Sequence, residues 1–138
     1  MEIRCGNAIW LKCFFANGKE CSSKRPFLVI SIDETTGLIK MLNISTVEGK
    51  ERKLLMDSNE QIMKHFPPFP DPSFVKLDEL YIIPYFPTLD RSLKLKAVLN
   101  EDEFLTIIDK YTNYSSKHSV TTVSFTVLDI ITRNKNLV

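Results

Sequence analysis

Several side chains that could bind a phosphate stand where the sequence predicts that strands begin or end. Arg25 directly precedes Pro26 and an apolar run, and its planar guanidinium offers several donors that fit phosphate oxygens. Ser45 and Thr46 close another apolar run, where a hydroxyl could hydrogen-bond a phosphate or a ribose hydroxyl. The structural alternatives are a solvated arginine at a strand start and turn hydroxyls that cap their own backbone.

Lys76 and Asp78 form a second candidate pair. They stand two residues apart in a predicted strand, so their side chains share a face of the sheet. A cation and a carboxylate on one face could supply positive charge to a phosphate and a general base. The alternative is a cross-strand ion pair beside a strand-end turn.

Aromatic and basic residues supply candidate binding surfaces. Phe66 and Phe69 lie in a proline-rich loop, where they could stack on unpaired bases or hold a protein segment. The alternative is that both rings fill the core. Basic side chains of the early segments could line a groove for a nucleic-acid backbone, although scattered solvated charge is the default interpretation. The candidates for this groove are Lys24, Lys50 and Arg52, with Lys12, Lys19 and Lys53 beside them.

Composition limits the classes of protein to consider. The chain has 138 residues and a net charge of +1, which fits one domain and excludes a polybasic coat. It has no apolar run of membrane-spanning length and no charged-then-apolar leader, so we expect no membrane segment and a cytoplasmic protein. Cys5, Cys13 and Cys21 are expected to be free thiols, and their spacing does not fit a zinc site. We expect no metal and no cofactor.

The elements that must position these residues are mostly strands. Apolar runs separated by turn residues predict strands at 8–15, 27–32, 38–44, 53–56, 73–77, 80–86 and 93–99. A capping box at Ser58 and Gln61 predicts a short helix before Pro67. Asn100 as N-cap and Glu103 predict a helix over 101–111. The Val, Thr, Ile and Phe content of 120–131 favours a strand.

Five segments of the chain resemble, in order, the motifs of one known protein family. Residues 6–11 (GNAIWL) resemble the family's opening strand, and 24–31 (KRPFLVIS) resemble its basic-Arg-Pro strand. Residues 43–46 (NIST), 74–80 (FVKLDEL) and 99–104 (LNEDEF) resemble the next strand end, the following strand and the entry to the last helix. The family is that of the MazF/PemK/Kid toxins, which are endoribonucleases of bacterial toxin–antitoxin pairs. The chain resembles it over roughly residues 6 to 111.

The resemblance implies an α+β fold that is mainly β. The expected architecture is a small, strongly bent SH3-like β-barrel of the MazF/CcdB type, with a helix after the barrel strands. This barrel domain would span residues 1–114, and residues 115–138 would be an extension packed on the same domain. The resemblance also implies a homodimer that binds single-stranded RNA and a cognate antitoxin protein.

The resemblance further implies metal-independent RNA cleavage. Such cleavage needs a base for the ribose 2′-OH, positive charge at the phosphorane and an acid for the departing 5′-oxygen. The 2′-OH is the nucleophile, so RNA is cut and DNA is spared. The family's arginine at the scissile phosphate corresponds to Arg25, and its hydroxyl to Ser45 or, one residue on, Thr46. Lys76 and Asp78 stand where Kid-like members have an arginine and an aspartate implicated in cleavage.

Three departures from the family pattern keep other functions open. Tyr81 stands where the family has an arginine, Ser45 replaces its threonine, and Asn7 replaces an acid. The Tyr81 and Ser45 departures favour the main alternative, a catalytically silent module that binds nucleic acid or protein. A CcdB-like poison of gyrase is a further one, and the Arg25-Pro26 strand argues against it, because those toxins lack this motif.

Overall fold

The structure, a computed structural model, describes residues 1–13, 18, 19 and 21–138. Its first half is an antiparallel meander of β1 (Ala8–Leu11), β2 (Arg25–Asp33) and β3 (Leu38–Thr46). These strands confirm the predictions at 27–32 and 38–44 and the first part of the prediction at 8–15. Residues 14 and 15, the end of that prediction, lie outside the described residues.

The predicted strands at 73–77 and 80–86 are one long strand, β5 (Ser73–Pro84). β5 is antiparallel to β3 along most of its length, and the register shifts between Leu42 and Ile44 of β3. Pro84 is the last residue of β5, where a missing backbone N–H does not interrupt the ladder. Besides β3, the long strand pairs with the short strands at Asn59–Ile62 and Thr121–Ser124.

Three local predictions are wrong, and the prediction of a strand at 120–131 is right only over Thr121–Ser124. The predicted helix after Ser58 is β4 (Asn59–Ile62), which pairs with β5, and the predicted strand at 53–56 belongs to a 3-10 turn at Glu51–Leu55. Within 93–99 the described pairing is a single bridge from Leu93 to Ile9. The stretch 120–131 divides into a short strand, β6 (Thr121–Ser124), and the start of a helix, α2 (Val127–Arg133).

The predicted late helix is confirmed as α1 (Glu101–Lys117), six residues longer than predicted. The Asn100 side chain accepts a hydrogen bond from the Glu103 backbone at 3.1 Å, as its N-cap position predicts. The Glu103 carboxylate does not complete a capping box. It accepts instead from the backbone N–H of Met63 at 2.6 Å, which ties the start of α1 to the end of β4.

The fold is mixed α+β, with one sheet covered on both faces. The strand order is β1-β2-β3-β5-β4, β6 lies parallel to β5, and the sheet does not close within the described residues. Alternate residues of each strand enter two cores, as Phe27 and Leu28 do on β2. We call the Phe27 side the first face, which α2 covers, and the Leu28 side the second face, which α1 covers. No helix of the described chain is long and apolar enough to cross a membrane.

Candidate anion-binding site

The candidate site lies where the first face of the sheet changes from apolar to polar. Phe27 and Asn43 form the last pair between β2 and β3, and Arg25 and Ser45 each lie two residues beyond it on their strands. Residues two apart on a strand share a face, so Arg25, Asn43 and Ser45 continue the face that Phe27 begins. The neighbouring core includes Leu11, whose backbone pairs with Arg25. The packed sheet therefore fixes the backbone beneath the polar groups.

Lys50 reaches this place through a tight turn after β3. The backbone N–H of Lys50 donates to Val47 O at 2.8 Å, and Gly49 has a φ of 75°, which a glycine adopts without strain. The turn brings the Lys50 amine back to the strand it has just left, where Nζ donates to Ser45 Oγ at 2.9 Å. Ser45 is only 8% exposed, so its hydroxyl holds the amine at a defined position.

Positive charge from three other elements converges on Lys50. Burial and the charges of Lys53, Lys76 and Arg25 all lower the pKa of the Lys50 amine. These residues belong to the Glu51–Leu55 turn, to β5 and to β2, so the cluster is assembled by folding rather than by local sequence. We call Arg25, Ser45, Lys50, Lys53 and Lys76 the basic cluster. Cations that repel one another around a hydroxyl form a site suited to an anion.

Lys76 is held at the cluster by pairing on one edge of β5. It pairs with Asn59 of β4, whose side-chain amide donates to Lys53 O at 2.9 Å. Asp78, two residues further on, is half-buried in the stretch of β5 that follows this pairing. Among the described residues it is not one of the charges that act on Lys50. The structure thus brings Lys76 close enough for its charge to act on Lys50, while a role for Asp78 stays a prediction.

Asn43 adds a buried donor beside the cluster. Its side chain is 2% exposed, and its amide nitrogen has no hydrogen-bond partner among the described residues. A buried amide donor without a partner costs free energy, so such groups are uncommon in native cores. An anion bound between the basic side chains would give it an acceptor.

Thr46 lies on the other face of β3 from Ser45. It lines a separate pocket with three carboxylates, an environment that disfavours phosphate. The carboxylates belong to Glu48, Glu51 and Asp71. The structure therefore separates the two candidate hydroxyls and places only Ser45 in the basic cluster. Lys24 and Arg52 are exposed residues next to cluster members in the sequence, and their binding role stays a prediction.

The two candidate stacking rings have different surroundings. Phe69 is 1% exposed and belongs to the core of the second face, as the structural alternative expects. Phe66 is 65% exposed and lines a groove with Met63, Val98 and Asn100. Phe66 thus has the exposure that base stacking requires, and Phe69 does not.

Two departures from the family pattern have structural explanations. Tyr81, in place of an arginine, is fully buried against Phe27, with ring centroids 5.0 Å apart, and donates to Glu79 Oε2 at 2.8 Å. Asn7, in place of an acid, is also fully buried, and its amide donates to the carbonyls of Lys96 and Ala97 at 3.2 and 3.1 Å. Both positions have structural roles in this chain.

The cysteines show no sign of an activated thiol. Cys5, Cys13 and Cys21 are free, and Cys13 and Cys21 are buried. Burial raises the pKa of the Cys5 and Cys13 thiols, and Cys13 is raised further by its neighbour Cys21. A raised pKa keeps the thiol protonated, and the protonated form is a poor nucleophile.

Sequence reasoning missed the link between Ser45 and Lys50 and the buried amide of Asn43. For the Ser45–Lys50 contact the signal in the sequence is Gly49. Glycine permits a tight turn of the backbone, which returns the Lys50 side chain to β3. For Asn43 the signal was a polar residue inside an apolar run. The sequence matches no protein-family model and no curated protein.

Proposed function

We propose that the protein is a metal-independent endoribonuclease that cleaves single-stranded RNA at the basic cluster. The observation that supports this is that the Lys50 amine contacts the Ser45 hydroxyl and is influenced by the charges of Arg25, Lys53 and Lys76. Arg25 would hold the scissile phosphate, and the lysines would stabilise its additional negative charge in the phosphorane. The ribose 2′-OH would attack, which confines the reaction to RNA.

The biological setting of this proposal rests on the family resemblance. We propose that the sheet is a divergent relative of the SH3-like MazF/CcdB barrel. The protein would act in the cytoplasm as a homodimeric toxin, neutralised by a cognate antitoxin. Exposed Phe66 is our candidate for stacking on an RNA base, and Lys24 and Arg52 are candidates for backbone contacts.

A binding module without catalytic activity is the second candidate, and the buried Tyr81 favours it. The family's arginine at that place is lost, so the site would have one cation fewer at the phosphorane. Such a protein would keep the basic cluster for RNA binding and lack turnover. The two candidates therefore differ in cleavage and agree in binding.

Incubation of the purified protein with single-stranded RNA and a chelator tests the proposal. We expect cleavage that survives chelation and yields a 2′,3′-cyclic phosphate and a 5′-hydroxyl. Arg25→Ala should reduce the rate at least about 100-fold, because it removes a preorganised charge at the phosphate. Arg91→Ala is the matched control, since Arg91 is an exposed arginine that donates to Asn136 O. Its rate should stay at the wild-type value.

The outcomes separate the two candidates. Intact RNA with tight binding that Arg25→Ala weakens would favour the silent module. Equal loss in Arg25→Ala and Arg91→Ala would contradict a specific role for Arg25. Arrested growth of a bacterial host on expression of the wild type, but not of Arg25→Ala, would support action as a toxin.

A further inference from the structure

Lys50 occupies a position that a surface lysine does not ordinarily have. Its Nζ is 2.9 Å from the oxygen of a buried hydroxyl, and its backbone is fixed by the turn after β3. The Ser45 contact fixes one direction around the nitrogen and leaves the others for a substrate. The amine is thus positioned by one side-chain hydrogen bond and by the backbone hydrogen bond of the turn, as a group that activates a nucleophile must be.

The charged groups that face Lys50 come from every element packed against it. Arg25 of β2, Lys76 of β5 and Lys53 of the Glu51–Leu55 turn are all cations. Glu51, the nearest acid in sequence, accepts a hydrogen bond from the backbone N–H of Gly49 at 3.3 Å. Burial and the cations lower the pKa of the Lys50 amine, which increases its neutral fraction near neutral pH.

We propose that Lys50 is the general base of the cleavage reaction, with Ser45 as the residue that positions it. This inference rests on the proposed function and names the group that the family resemblance leaves open. In its neutral form the amine donates one N–H to Ser45 and offers its lone pair to the ribose 2′-OH. Arg25 cannot take this role, because a guanidinium does not lose its proton in proteins.

The reaction balances without a co-reactant other than water. The Lys50 nitrogen takes the 2′-OH proton, the O2′–P bond forms, and the P–O5′ bond breaks. The departing 5′-oxygen takes a proton from water, and the resulting hydroxide removes the proton held by Lys50. The products are a 2′,3′-cyclic phosphate and a 5′-hydroxyl, and the enzyme returns to its starting state.

Lys50→Arg is the sharpest test, because it keeps the charge and removes the titratable amine. We expect single-turnover cleavage to fall about 100- to 10,000-fold, the contribution of a general base, while RNA affinity changes little. The wild-type rate should rise with pH and level off at a pKa below the ordinary lysine value of about 10.4, and Lys50→Arg should lack this rise. Lys40→Arg, on an exposed part of β3, is the control for the substitution itself.

Chemical rescue keeps the test decisive if Lys50→Arg distorts the turn. Ethylamine added to Lys50→Ala should restore cleavage, and ethylguanidine at the same concentration should not. Ser45→Ala should lower the rate and shift the pH profile toward the ordinary lysine range. Without the Ser45 hydrogen bond, the amine would no longer be held near the cations that lower its pKa. Thermal unfolding of each variant checks that the fold is kept.

Three outcomes would overturn the inference. Wild-type rates and pH profile in Lys50→Arg would exclude Lys50 as the base. A pH limb that disappears in Asp78→Asn and persists in Lys50→Arg would assign the role to the carboxylate. Absence of any cleavage by the wild type would remove the proposed function itself, and the inference with it.

Discussion

At the scale of single residues, the structure distinguishes neighbours that the sequence treats as equivalent. Ser45 and Thr46 are both hydroxyls at one strand end, yet alternation along β3 places them on opposite faces. Ser45 contacts a lysine amine, and Thr46 shares its pocket with carboxylates. Two adjacent positions of β3 therefore face opposite environments, the basic cluster on one side and an acidic pocket on the other.

Asn7 gives a prediction at this scale. Asn7→Asp replaces a donor amide, which serves the Lys96 and Ala97 carbonyls, with a group that only accepts when ionised. The buried charge would face two carbonyl oxygens, so we expect the free energy of unfolding at pH 7 to fall by about 2–4 kcal/mol. Urea denaturation followed by circular dichroism measures this change.

The pH dependence of Asn7→Asp follows from the same argument. Burial and the facing carbonyls should raise the folded-state pKa of the new carboxyl above its unfolded value. The folded state then binds the proton more tightly, so the deficit relative to wild type should shrink as the pH falls toward 4. Asn136→Asp, at an exposed position, is the control and should change stability little. A deficit independent of pH would contradict the explanation.

At the scale of elements, the sequence predicts the strands and helices that local residue types determine. It mispredicts the elements that depend on pairing with distant segments. β2, β3 and α1 follow from their apolar runs, from Pro26 and from the Asn100 cap. The capping box at Ser58 and Gln61 is outweighed because Asn59–Ile62 completes the edge of β5. Arg25, Ser45 and Lys76 could be named as candidates from the sequence. Their convergence with Lys50 depends on strand register and on the turn at Gly49, which no local pattern specifies.

A prediction at this scale concerns Gly6, which precedes β1 and contacts the 93–99 segment. Gly6 has a φ of 92°, donates to Val29 O at 2.8 Å and accepts from the Leu99 N–H at 2.9 Å. A Cβ at this position would lie 3.2 Å from the Val98 Cβ. Gly6→Ala should therefore combine backbone strain with steric overlap.

Gly37→Ala separates these two costs. Gly37 also has a positive φ, of 73°, but a Cβ there would meet nothing within 4 Å. We expect Gly37→Ala to cost about 1–2 kcal/mol of stability from the backbone alone. Gly6→Ala should cost at least about 1 kcal/mol more, from the overlap with Val98. Equal costs in urea denaturation would show that the Val98 contact relaxes freely.

At the scale of the whole molecule, the last residues complete the sheet's first core. β6 adds a parallel strand to β5 by pairing Glu79 with Thr121 and continues to Ile82 and Ser124. Beyond it, Ile130 and Leu137 are each 1% exposed and belong to the same cluster as Phe27. The face whose polar end carries the basic cluster is therefore covered by residues more than a hundred positions away in the sequence.

Asn134 anchors this arrangement, and its substitution tests whether the C-terminal residues and the early strands unfold together. It accepts from Lys12 N at 2.8 Å and donates to Lys12 O and Ile130 O, both at 2.8 Å, in a site that is 2% exposed. Asn134→Ala leaves these backbone groups without their partner, so we expect a loss of about 2–4 kcal/mol in one cooperative transition. Exposed Asn136→Ala should cost less than about 0.5 kcal/mol. An early, separate loss of α2 protection in hydrogen exchange, with β2 and β3 unaffected, would instead show that the C-terminal residues unfold independently of the sheet.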